Sequence, residues 1–181
     1  MGEDYLYDWR PHDRIDDALL VECATLFSEH YGIWGTEGRR PGERIRLRAS
    51  DVARFLPQDG WAVFARHDGA LVGYALGIRT AVEGVGAVDW VTQLVVHTDH
   101  RARGVASALL FTFWGFSNHA AWGLVTSNPY AVRALERITR RRCDPRVIRD
   151  MSALIRRVGE RIHYVKDQTI TLDGARSVID T

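Results

Sequence analysis

The sequence predicts an α/β (α+β) domain built on a mixed, mostly antiparallel central sheet of six to seven strands, flanked by helices and followed by a C-terminal helix-plus-strand extension. Three observations carry that expectation. Residues 61–66 and 70–78 are apolar runs joined by His67-Asp68-Gly69, where Asp-Gly supplies the positive-φ turn of a tight hairpin. Residues 87–96 form a valine-rich run whose length and β-branching suit a buried strand. From Gly104 the apolar period changes to that of a helix, with Ala106, Leu109, Leu110 and Phe113 on one face.

Along the chain, residues 5–9 read as a first strand, stopped by Arg10-Pro11. Ile15, Leu19, Cys23 and Leu26 then recur at helical spacing, which turns Cys23 toward the core as an inert thiol. Residues 32–42 gather four glycines and Pro41 behind Tyr31, Ile33 and Trp34, and read as a long mobile loop able to shape a substrate mouth. Ser50 is placed to cap a short helix over 51–56, which Pro57 and Gln58-Asp59-Gly60 end. Gly73, inside the second hairpin strand, marks a bulge or a close backbone approach. A turn near Glu83–Gly86 leads into the valine-rich strand.

The helix opened by Gly104 runs to about Phe116, and residues 121–126 form a fifth strand. Ser127 or Asn128 caps the next helix, with Pro129 in its first turn and Ala131, Ala134, Leu135 and Ile138 as its core face. After Asp144-Pro145, residues 147–158 describe one amphipathic helix, and 162–165, 169–172 and 175–179 read as strands. The apolar, strand-like end predicts that the natural polypeptide continues beyond Thr181.

Composition limits the partners. With 181 residues, 46% apolar and 26% charged, the chain is expected to form one globular domain over residues 1–181, its motif-bearing core at about 5–142 and a C-terminal part at 143–181. Twenty-four Lys and Arg against 23 Asp and Glu give no net-charge argument for nucleic acid or a membrane as the main partner. The acidic start lacks the basic and apolar segments of a signal peptide, and no run approaches the roughly 18 apolar residues of a membrane span. Cys23 and Cys143 are far apart and lack metal-ligand spacing, so a reducing compartment, free thiols and no metal are expected. The expected location is cytoplasmic.

The most informative stretch is Thr92–Ser107: a strand, a short turn and a helix start containing Arg101-x-x-Gly104-x-Ala106. Unpaired backbone N–H groups and the positive end of the macrodipole converge where a helix begins, and small residues let a pyrophosphate approach them. Arg101 and Arg103 add charge. The loop lacks the Gly-Lys-Ser/Thr ending of a P-loop and follows a hairpin, not a repeating βαβ array, which excludes a β,γ-phosphate-and-magnesium site and disfavours a dinucleotide fold.

These residues resemble the GNAT superfamily of acyl-CoA N-acyltransferases, whose signature is Leu-x-Val, a short turn and Gln/Arg-x-x-Gly-x-Gly/Ala at a helix start; here they are Leu94, Val96, Arg101, Gly104 and Ala106. A second block, Asn-x-x-Ala before an apolar helix, is similar to Asn128-Pro-Tyr-Ala131. The resemblance spans roughly 5–142. It implies acetyl-CoA as co-substrate, with Arg101 and the backbone of Arg103, Gly104, Val105, Ala106 and Ser107 around its pyrophosphate. Leu94, Val95 and Val96 would lie along the pantetheine, with the Val95 or Val96 N–H on the acyl oxygen, and Asn128 would hydrogen-bond the coenzyme. Acetyl would pass directly to a primary amine of a small molecule, peptide or protein in a ternary complex. Tyr31 and Trp34 are expected to touch that acceptor, and the resemblance leaves a homodimer open.

Attack requires a neutral amine and hence a base. Asp89 is the first candidate, with Trp90 aligned almost as well and Glu83, Gln93 and His97 in reserve. The tyrosine that many relatives place seven residues beyond the motif asparagine is Leu135 here. Tyr130, Ser127, a water or no acid at all would then serve the departing thiolate. Arginines at 39–48 and at 137–146 read first as solvated surface, and otherwise as contacts for the coenzyme 3′-phosphate, an acidic substrate or nucleic acid. A non-catalytic acyl-CoA-binding module is the alternative function.

Overall fold

Five strands form the central sheet in chain order: β1 (Leu6–Pro11), β2 (Gly60–His67), β3 (Ala70–Val82), β4 (Gly86–Val96) and β5 (Ala121–Leu124). β1 to β4 pair antiparallel and β5 lies parallel to β4, so the sheet is mixed and mostly antiparallel. The structure, a computed structural model, describes residues 4–115 and 117–166 and the backbone of 169–173 and 176–180. Phe116, the expected helix end, and Ala175 lie outside the described residues.

The sheet has fewer strands than the sequence suggests. β6 (Thr169–Asp173) and β7 (Arg176–Asp180) pair with each other in a separate two-stranded sheet. Residues 162–165 are turns: Val165 and Lys166 donate to the Ile162 carbonyl. Ile162 and Val165, three apart, are both buried against Ile78, Val82 and Val88. Helix-like spacing buries them without a strand.

The β2–β3 hairpin turns at Asp68 (φ 50°) and Gly69 (φ 81°), the conformation that Asp-Gly favours. Gly73 serves both expected purposes: the register shifts beside it, and a Cβ there would sit 3.1 Å from a Leu109 methyl and from the Val95 carbonyl.

One sheet face is covered by α1 (Asp17–His30) and α2 (Ala49–Phe55). The Asp16 carboxylate caps α1 by accepting the Leu19 N–H at 2.8 Å, and Leu19, Cys23, Leu26 and Phe27 pack on Phe64, Tyr74, Leu76 and Val95. Burial, helped by Glu22, pushes the Cys23 thiol up to about 12, so it is inert. Ser50 is not the cap of α2. The helix begins at Ala49, two residues earlier than expected, and the Asp51 carboxylate reaches back to the Arg48 N–H at 3.0 Å.

The opposite face carries α3 (Val105–Trp114) and α4 (Pro129–Thr139). Leu109, Leu110 and Phe113 are fully buried there, each contributing about 1.5–3 kcal/mol. The expected long helix after Asp144 is two: α5 (Pro145–Asp150) and α6 (Ser152–Gly159), broken at Met151. The break lets Leu154 and Val158 pack against β3 and β4, while Val147 and Ile148 stay exposed.

Candidate active site

β4 outruns β5. Their parallel pairing ends at Val91 and Leu124, with one further bond from the Val125 N–H to the Val91 carbonyl at 3.0 Å. From Thr92 to Val96, β4 pairs with β3 on one side, and among the described residues no strand lines its other edge.

A bulge sits at the start of this open edge. Leu76 pairs with Gln93 and Gly77 with Val91, leaving Thr92 as the extra residue. Beyond it, the His97 N–H bonds the Val72 carbonyl at 2.8 Å. Alternation along the antiparallel ladder then points the main-chain groups of Val95 and Gln93 at β3, and those of Leu94 and Val96 outward. The Val96 carbonyl agrees, since it accepts from Arg101 Nε at 3.2 Å. Of the two donors expected on the acyl oxygen, Val95 is therefore committed to the sheet and its side chain is buried. Leu94 and Val96 supply the outward N–H groups.

The turn after β4 leads into α3 through two left-handed residues, Ala102 (φ 60°) and Gly104 (φ 86°). Gly104 is the N-cap and has no side chain to bond the first turn; the Ala108 N–H to Gly104 carbonyl bond opens the ladder. The N–H groups of Val105, Ala106 and Ser107 precede it, and a Cβ on Gly104 would meet nothing within 4 Å. Amide donors facing open space fit a bound anion such as a pyrophosphate. Arg103 is exposed beside them. Arg101 is used differently from the expectation: its guanidinium bonds the Val96 and His30 carbonyls, tying the end of β4 to the end of α1.

Asn128 is the N-cap of α4. Its Oδ1 accepts the Tyr130 N–H at 2.9 Å, and its side-chain amide donors remain available at the exposed end of β5. Tyr130 is 76% exposed on the first turn of α4. Leu135 is partly buried in the apolar cluster under α3 and α4.

Asp89 is engaged in the core, away from the open edge. It lies five residues before Leu94, about 15 Å along a strand. Its carboxylate is fully buried, with Oδ1 accepting Arg79 Nε at 2.8 Å and Oδ2 paired with His119 Nδ1. Glu83 is exposed in the β3–β4 turn, and the His97 ring caps the Asp99 N–H. Gln93 is the reserve residue on the open stretch, and its Oε1 accepts the Tyr74 hydroxyl at 3.1 Å.

Tyr164 went unremarked in the sequence. Its hydroxyl donates to the Thr92 carbonyl at the bulge, and its ring lies edge-on to Phe55 at 5.2 Å. Burial, with Tyr31 nearby, raises its pKa. The signal available was a lone aromatic after α6, which nothing in the local pattern connects to Thr92. Tyr31 stacks on Phe27 at 4.2 Å, and Trp34 lies in the α1–α2 connection.

The sequence profile of the acetyltransferase (GNAT) family matches residues 21–138. The chain belongs to that family. A search of curated proteins gives no significant match. Solved acetyltransferase folds are similar: ribosomal-protein-alanine N-acetyltransferase from Brucella melitensis biovar Abortus 2308 superposes with a TM-score of 0.52 at 21% identity, covering 74% of this chain and 89% of that one. An aminoglycoside acetyltransferase from an uncultured soil metagenomic sample, in complex with sisomicin, gives 0.54 at 11% identity over 74% and 86%. Aminoglycoside N-acetyltransferase AAC(6')-Iy in complex with CoA gives 0.50 at 16% over 76% and 87%. At these identities the likeness is one of fold. This GNAT domain has no helix among its described residues long and apolar enough to cross a membrane, and no described group of three or more His, Cys, Asp or Glu that could hold a metal.

Proposed function

We propose that the protein transfers an acetyl group from acetyl-CoA to a primary amine in the cytoplasm, by direct attack with both substrates bound. The observation that carries this reading is the pairing of an uncapped α3 N-terminus with an open β4 edge whose outward donors are Leu94 and Val96. The N–H groups of Val105, Ala106 and Ser107 bind the diphosphate, with Arg103 adding charge and the Asn128 amide reaching the coenzyme from β5. The coenzyme supplies an activated thioester. Leu94 or Val96 donates to its acyl oxygen, where a fixed donor in a dry cleft is worth about 3–4 kcal/mol as charge develops.

Among the described residues no carboxylate bonds the Thr92–Val96 stretch, so proton removal from the amine passes through water held near the Gln93 and Tyr164 side chains. Tyr164 acts as a positioning residue that fixes the Thr92 carbonyl and the bulge. The thiolate leaves with solvent or an exposed hydroxyl such as that of Tyr130 as its proton source.

The test is calorimetric titration of acetyl-CoA into the wild-type protein and Gly104→Glu, combined with free-thiol release across an amine panel. The glutamate places a carboxylate on the diphosphate cradle at a residue with φ 86°, and binding should fall by at least a hundredfold. Equal affinity in the variant would remove the cradle, and with it the proposed activity.

A further inference from the structure

The α1–α2 connection carries charge that coenzyme binding leaves unused. Between Gly32 and Arg48 lie Arg39, Arg40, Arg44, Arg46 and Arg48 against Glu37 and Glu43, a local excess of positive charge in a chain whose formal total is +1. Folding concentrates it. Ile33 bridges Arg44, the Trp34 N–H bonds the Glu43 carbonyl at 2.8 Å, and the Gly42 N–H bonds the Trp34 carbonyl at 3.0 Å, closing a narrow loop. The loop lines a cavity of about 320 Å³ formed by Trp34, Arg39, Arg40, Glu43, Arg44 and Arg46.

Two of these cations have partners. Arg44 bonds the Glu29 carbonyl, and Arg40 lies 3.8 Å from the Glu43 carboxylate. Arg39 and Arg46 have no carboxylate or hydrogen-bond partner among the described residues. Like charges gathered around one concavity repel, and a bound anion offsets that repulsion. Guanidinium forks match the oxygens of carboxylate and phosphate, and the Trp34 ring offers a flat wall. The cavity also has a fixed relation to the coenzyme turn: Arg44 and Arg101 hold consecutive carbonyls, Glu29 and His30, at the end of α1.

We propose that this pocket binds an acidic group of the acceptor, so that the amine acetylated by this protein carries a carboxylate or phosphate. The inference rests on the acetyl-transfer reading and names its substrate class. Arg39 and Arg46 grip the anion while the amine extends toward the β4 edge; a polycationic amine meets like charge at the same place.

Binding is tested on CoA-saturated protein, after acetyl-CoA affinity has been measured separately; failure of that first titration sinks the transferase reading itself. O-Phosphoethanolamine is compared with ethanolamine, and γ-aminobutyrate with butylamine, in the wild type, Arg39→Gln and Arg46→Gln. The exposed arginines allow these changes without unfolding, which circular dichroism checks. At least one anion-bearing probe should bind roughly ten- to a hundredfold more tightly than its partner, an advantage that each glutamine variant largely abolishes. The stronger of the two acids identifies phosphate or carboxylate as the preferred group. Equal binding within both pairs, or a preference that survives both substitutions, overturns the proposal. So does a result in which the variants lose only their preference for acetyl-CoA over its 3′-dephospho form, which would assign the pocket to the coenzyme phosphate.

Discussion

Replacing Asp89 separates a structural carboxylate from a catalytic one. The side chain is 0% exposed, its partner Arg79 is 45% exposed and His119 is 18% exposed. In Asp89→Asn the amide oxygen still accepts from the Arg79 guanidinium, but the carboxylate charge that Arg79 and His119 both face is gone and both contacts weaken. A hydrogen bond to a charged group contributes about 1.5–3 kcal/mol and a neutral one about 0.5–1.5, so two weakened contacts cost about 2 kcal/mol after relief of the buried charge. For a domain of this size, that lowers Tm by about 4–8 °C. Arg79→Met, which strands the carboxylate with His119 alone, should cost about 2–3 kcal/mol, below the full penalty for breaking a buried pair because water reaches the half-exposed arginine site. The double variant should lose less than the sum, since both changes disable one contact. Thermal denaturation followed by circular dichroism measures all three, alongside the pH profile of kcat/KM at 25 °C. The expected profile of Asp89→Asn keeps its wild-type midpoint. A Tm within about 1 °C of wild type, together with a hundredfold loss of kcat or a displaced acid limb, would refute this placement and restore Asp89 as the base.

Two further outcomes follow from contacts around the site. Tyr164→Phe removes the donor to the Thr92 carbonyl and should cost about 1–3 kcal/mol, with kcat falling while KM for acetyl-CoA stays near wild type; unchanged kcat would deny the tyrosine any part in holding the bulge. His30, whose ring lies tilted against His97 with centroids 3.7 Å apart, has its pKa lowered below 6.5 by burial and then by His97. The unfolded chain thus binds its proton first, so the stability from neutral His30 is complete above about pH 6.5 and is lost as pH falls through that value. His30→Gln should flatten the dependence of Tm on pH between about 5 and 7, and an identical slope in both proteins would exclude this histidine as the source.

Much of the fold was legible because its signals are local. Asp68-Gly69 turns the hairpin, Gly104 opens α3 and Asn128 caps α4, each through its own φ or side-chain bond. The turn into α3 is legible for the same reason: it is built from consecutive main-chain donors. What sequence patterns missed depends on distant partners. Tyr164 meets Thr92 across 72 residues, and Arg101 meets His30 across 71. The break at Met151 and the turns at 162–165 reflect how much of β3 and β4 was left to cover, a tertiary demand that overrides local period.

The bulge sets which residues of β4 share a face with Asp89. Strict alternation from Asp89 puts Gln93 and Val95 on its face; one extra residue at Thr92 exchanges them for Leu94 and Val96. The same shift turns the Leu94 and Val96 amides outward just where β5 ends, and brings Thr92 into reach of the Tyr164 hydroxyl. Upstream of the bulge, β4 is an inner strand and its carboxylate is locked into the core. Downstream it is an edge with free donors, which a central strand gains only by losing its neighbour. Exposed edges invite unwanted pairing, and here the open stretch is short and its end is tied to α1 through Arg101. The division of β4 at Thr92 therefore separates the part that is locked into the sheet on both sides from the part whose outer edge is open.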